Sequence, residues 1–214
     1  MLCKYSPNVY QSLLDIESRA AIIDKKDISL LGNVIKKFQL EDVLGICVLH
    51  RHVDLSESEV LVEDSYDNKT VTTPSVLSQS SDILPCMWKF EAGGFYPLQF
   101  AKNNQEMQRI VTRLLKKSDF FQQFSELLIK LKGQDLYGLS ILRYAVDSEE
   151  TMRLETTNED TRTMTVELVP KEENESILET LFRFDGDPQL GCVSTQVCNS
   201  GPSGHTRGYS HRRD

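Results

Sequence analysis

The residues best equipped for chemistry fall in two places. His50 and His52 bracket Arg51 directly after the apolar run 43–49. On a strand alternate side chains share a face, so the two imidazoles point the same way, together with Leu44, Ile46 and Val48. Two neutral imidazoles at the end of an apolar strand face are a ligand pair for a metal ion, and Glu57, Glu59 and Glu63 follow closely enough to add a carboxylate. The second place is the C-terminal stretch, Cys192-x5-Cys198-x6-His205-x5-His211. Thiolates and imidazoles are the donors of closed tetrahedral zinc sites. The His–His gap fits such a site and the Cys–Cys gap is longer than usual, while Gly201, Gly204 and Gly208 let the chain fold around an ion. Zinc is therefore the cofactor expected, held by the C-terminal stretch.

Other chemistry finds little support. There is no P-loop, no GxGxxG and no GxSxG. Cys47 and His50 are three residues apart and start on opposite strand faces. Glu149-Glu150 and Glu172-Glu173 sit in charged stretches that read as solvated surface, and Asp185-Gly-Asp187 is too short for a calcium loop. Trp88, Phe90 and Phe95 read as core. The reading that follows is a non-catalytic binding or regulatory module holding zinc through its C-terminal stretch. A small metal-dependent enzyme using His50 and His52 is the alternative.

The elements that must position these residues follow from the spacing of apolar residues. Val9, Tyr10, Leu13 and Leu14, with Ala20 and Ala21 further on, predict one helix, and Ile28, Leu31, Val34, Ile35 and Phe38 predict a second, capped by Asp27. The run 43–49 predicts a central strand covered on both faces. Hairpins are predicted with arms at 60–62 and 70–72, at 83–90 and 95–100, and at 152–155 and 164–168; the Ser-rich stretch 74–82 reads as a loop. Two helices are predicted over 104–132, and a strand over 137–144. Asn174 caps a predicted short helix carrying Ile177, Leu178, Leu181 and Phe182. Beyond Phe184 periodicity disappears, so residues 185–214 are expected as a flexible tail whose deletion shifts the melting temperature by no more than a few degrees.

Assembled, these elements predict one α+β domain over 1–184, with a largely antiparallel sheet and helices packed on one side. The chain has 214 residues and a formal charge of −8. Arg207, Arg212, Arg213 and Asp214 give its last ten residues a local +2, so the body carries −10. An acidic body repels phosphate backbones, so no nucleic acid is expected, and the partner is expected to be a protein or a small molecule. No apolar run is long enough to span a bilayer. The start, Met1-Leu-Cys-Lys-Tyr-Ser, lacks the pattern of a secretory signal. The five cysteines include no CxxC and are odd in number, which predicts a reducing cytoplasmic compartment without structural disulfides.

Two resemblances bear on this reading. Gly45-x4-His50-x-His52-x4-Glu57 resembles the first metal motif of cupins, which place two histidines and a glutamate on a β-barrel. Here the glycine spacing is one short, and no glycine follows Glu57 at the cupin distance. Separately, the stretches 49–63, 94–100 and 204–213 resemble uncharacterised proteins of filamentous fungi. That resemblance implies an intracellular fungal protein and carries no reaction or site residue.

Overall fold

The computed structural model describes residues 2–16, 18, 22–66, 69–143, 151–170, 177–185 and 193–199. The apolar run after Asp42 becomes strand β1 (Leu44–Val48), buried along its whole length. Hairpins form where the sequence predicts them. They are β2 (Glu59–Tyr66) with β3 (Lys69–Val76), β4 (Ile83–Glu91) with β5 (Gly94–Lys102), and β7 (Thr151–Asn158) with β8 (Thr163–Pro170). Between β4 and β5 a two-residue turn places Ala92 and Gly93 at positive φ, the geometry that matches the twist of tight hairpins and that glycine adopts without strain. Strand β6 (Tyr137–Ile141) lies between β1 and β4.

Two further strands overturn the predicted architecture. Strand β9 (Ile177–Arg183) lies where a short helix was expected, and β10 (Val193–Asn199) lies inside the expected tail. Together they close the sheet. The strand order is β1-β6-β4-β5-β2-β3-β8-β7-β10-β9, with β9 pairing back onto β1. The protein is therefore a closed barrel of ten strands among the described residues, and not an open antiparallel sheet backed by helices. The sheet is mixed: β2–β5 and β7–β10 run parallel and the other neighbours antiparallel. The helical reading of 177–182 fails for an identifiable reason. Leu178, Leu181 and Phe182 match helical spacing, but in a strand covered on both faces an apolar run need not alternate. Leu181 packs inside the barrel, and its neighbour Phe182 packs outside it.

Four helices are described: α1 (Pro7–Gln11), α2 (Lys25–Lys37), α3 (Gln105–Leu115) and α4 (Ser118–Leu131). Asp24, not Asp27, caps α2 by accepting from the Lys26 amide at 2.8 Å, and Asn104 caps α3 through the Met107 amide at 2.9 Å. No helix of the described residues is long and apolar enough to cross a membrane. Ile28, Leu31 and Ile35 of α2, with Phe120, Phe124 and Leu128 of α4, pack on the outward side chains Leu44, Ile46 and Val48 of β1. A second cluster fills one end of the lumen, where Val9, Tyr10 and Leu13 meet Cys47, Leu49, Leu61, Leu98 and Leu181. The N-terminal segment thus plugs that end, held by Tyr10 Oη donating to the Val53 carbonyl at 3.0 Å. Gly138 permits the wall to close beside it: a Cβ there would stand 2.6 Å from the Trp88 carbonyl oxygen.

The β7–β8 hairpin is pinned to β2 by one ion pair. Arg162, at φ 52°, donates to Glu59 Oε1 at 3.0 Å and Oε2 at 2.8 Å. The Arg162 hydrogen bonds lead the causes that hold the Glu59 carboxyl down to about 2. A folded-state pKa below the ordinary 4.5 gives stabilisation that is complete above that value and is lost as pH falls from it toward about 2. Urea unfolding of the native chain and Arg162→Ala should therefore show a stability gap at about pH 6 that narrows at about pH 3. A gap independent of pH would show that Arg162 acts through packing alone.

Candidate functional site

The end of β1 borders the lumen cavity. Past Val48 the chain leaves the ladder, and His50 turns back so that its Nδ1 lies 2.8 Å from the carbonyl oxygen of Val48. His52 Nδ1 lies 2.9 Å from Thr157 Oγ1 on β7. The rings stand 4.4 Å apart, centroid to centroid, inclined at 61°. The sequence puts both histidines on the face of Leu44, Ile46 and Val48. Leu44 and Ile46 pack against the helices instead, while both imidazoles line the lumen cavity, which Val48 also reaches. Strand periodicity does not carry across a strand's end. For the same reason Cys47, expected opposite His50, lines the same cavity. Burial pushes the Cys47 thiol up to about 12, so it is no nucleophile.

The carboxylate that meets the imidazoles is Glu155 of β7. Its Oε2 is 3.6 Å from His50 Nε2 and its Oε1 3.9 Å from His52 Nε2. Exposure of the three side chains is 5 % for His50, 8 % for His52 and 4 % for Glu155. Thr180 Oγ1 donates to Glu155 Oε2 at 3.0 Å, and the Gln196 amide donates to Oε1. Burial raises the Glu155 carboxyl, but the hydrogen bond and positive charge of protonated His50, the charge of protonated His52 and the Gln196 hydrogen bond outweigh it and bring it down to about 2, so a positive charge at the rings keeps the group an anion.

Strand β10 brings the fourth participant. Cys198 lies beside Glu155 in the parallel β7–β10 pair, and its Sγ falls within one 4.8 Å span with a ring nitrogen each of His50 and His52. One member of the C-terminal Cys/His set thus joins the histidine pair, in a union that sequence spacing does not suggest. Cys192, His205 and His211 lie outside the described residues. Of the carboxylates expected near the histidines, Glu57 is exposed, Glu59 pairs with Arg162, and Glu63 sits elsewhere on the cavity wall. There Glu63 accepts from Gln99 Nε2 at 3.0 Å and pairs with Arg143.

The lumen between these groups is a cavity of about 40 Å³. At roughly 10–15 Å³ per water it holds about three waters, far below what a drug-sized ligand fills. Its wall combines the polar groups above with Leu61, Met87, Leu98 and Leu181. Compared with protein-family models, curated proteins and solved structures, the chain gives no match. Function must therefore be argued from the site itself.

Proposed function

We propose that this chain is a β-barrel protein that binds a divalent transition-metal ion, zinc first, inside its lumen through His50 Nε2, His52 Nε2 and Cys198 Sγ. The observation that carries the reading is the orientation of His50. A backbone carbonyl only accepts, so the bond to Val48 assigns the proton to Nδ1. In the neutral ring Nε2 then presents a lone pair. That atom is buried without a hydrogen bond, and it faces the Glu155 carboxylate. Two electron-rich groups opposed in a buried site call for a hydrogen-bond donor or a cation between them: a water, a proton on the ring or a metal ion bound to it. A second imidazole and a thiol at the same point favour the metal.

The surroundings support the same reading. Both Nδ1 atoms are anchored, one by a carbonyl and one by a hydroxyl, as the outer partners of metal-bound histidines are. The charges also balance. Among the cavity-lining groups Arg143 neutralises Glu63, which leaves Glu155; a Cys198 thiolate adds a second negative charge, and a divalent ion cancels both. Metal–ligand lengths of about 2.0–2.3 Å set tetrahedral donors roughly 3.3–3.8 Å apart, so small side-chain rotations close the 4.8 Å span onto an ion. Mixed sulfur and nitrogen donors favour zinc, cobalt or copper over magnesium or calcium.

Elemental mass spectrometry tests the reading. The full chain, made without a metal-chelating tag, incubated with zinc and dialysed, should retain about one equivalent per chain. The double variant His50→Ala/His52→Ala, with its fold verified by circular dichroism, should retain less than about a tenth of that. Native protein that retains no zinc satisfies the His50–Glu155 pair with a proton or a water, and the proposal is wrong.

A further inference from the structure

We infer that the bound ion keeps one coordination position open to the lumen, and that this position takes a small, neutral, hydrogen-bond-donating Lewis base of up to about three heavy atoms. The inference rests on the metal reading above and names the ligand class of that same site.

His50, His52 and Glu155 line the cavity, whereas Cys198 does not reach its wall. Glu155 has an oxygen near each ring, yet neither oxygen joins the span that holds the three donor atoms. An ion between the three donors thus has on one side a thiol that does not reach the cavity wall and on the other two rings that do, so its uncovered side faces the cavity. Closed zinc sites use four protein ligands, and three ligands facing a cavity leave a position for an exchangeable one.

The cavity of about 40 Å³ accepts about three waters, or one molecule of the same extent. The molecule must also satisfy Glu155. That carboxylate already receives Thr180 and Gln196, but each oxygen has a further lone pair, and an anion can only accept. A ligand beside it must therefore donate an N–H or O–H. The ion, the thiolate and Glu155 together are neutral, so an anionic ligand would bring an uncompensated charge into a buried site, whereas a neutral one would not. Water meets every condition, and so does a molecule such as hydrazine. Azide matches the size but carries a charge and has no hydrogen to donate.

Visible spectroscopy of the cobalt(II)-loaded full chain decides the matter, because ligand-field bands respond to whatever enters an open position. At about pH 9, where hydrazine is mostly the neutral base, it should shift the bands at concentrations at least about tenfold below those at which azide does, and Glu155→Gln should shrink that preference by about tenfold. A chain that binds one equivalent of cobalt with bands unmoved by either probe has a closed site, which overturns this inference and leaves the metal reading standing. Azide binding more tightly than hydrazine in the native chain overturns the ligand class. Failure to bind cobalt at all removes the metal reading, and this inference with it.

Discussion

A chain ending at residue 184 should not fold. It lacks β10, which pairs with β9 on one side and β7 on the other. Its removal leaves two long unpaired strand edges in place of a continuous wall, the situation that barrels otherwise abolish. It also withdraws Gln196 from Glu155 and opens the lumen beside that buried carboxylate to water. A hydrogen bond to a charged group contributes about 1.5–3 kcal/mol, and the lost ladder and packing add to that against a total stability of only about 5–15 kcal/mol. Circular dichroism should show no cooperative melting, and gel filtration should show an expanded or aggregated chain. Val197→Asp, which puts a charge at a buried position of β10, should lower the melting temperature steeply in the full-length protein. A truncated chain melting within a few degrees of the full chain, as the sequence alone leads one to expect, would mean that β10 contributes nothing to the barrel.

The same strand explains how far the fold was legible. Hairpin positions and helix stripes followed from local rules: apolar period, caps and turn residues. Closure did not, because it depends on two strands whose sequences carry no clear local signature. Val193–Asn199 lies between Gly-rich stretches and alternates only weakly, and Ile177–Arg183 satisfies helix spacing as well as strand. A second misreading concerns which face of a strand is buried. In β7 the charged and polar residues Arg153, Glu155 and Thr157 are the buried ones, while Met152 and Leu154 are only half-buried; in β3, Thr70 and Thr72 are buried and Val71 is not. Pattern reading sends apolar residues inward by default. A barrel has two buried sides, and here part of the lumen side is polar. The histidine pair was visible because both ligand types stood two residues apart. Glu155 and Cys198 were invisible as partners because only closure of the barrel brings β7 and β10 alongside the end of β1. The alternation Arg153-x-Glu155-x-Thr157 was the one available signal, since a strand with a uniformly polar face either meets water or lines a cavity.

Zinc should act on stability as strongly as it acts on the site. An ion that binds only the folded barrel stabilises it by about 4 kcal/mol when present at about a thousand times its dissociation constant. For a chain of this length each kcal/mol raises the melting temperature by roughly 2–4 °C, so zinc at that excess should raise it by about 10 °C, and a chelator should reverse the change. Cys198→Ser separates the ligand from the bystander. The hydroxyl nearly fills the volume of the thiol but is a far poorer donor to a borderline-soft ion, so the variant should melt within a few degrees of the native chain without zinc and gain less than about half as much from it. Glu155→Gln removes a buried anion whose charge the ion helps to balance. In the metal-free state the His50 lone pair then no longer faces a carboxylate, so that variant should lose little stability without zinc while also gaining less from it. Equal zinc shifts in the native chain and Cys198→Ser would put the ion on the two imidazoles and Glu155, with the thiol serving only as packing. Equal shifts in all three proteins would show zinc acting elsewhere on the chain, because no ion seated between His50, His52 and Cys198 can be indifferent both to its sulfur donor and to its nearest uncompensated negative charge.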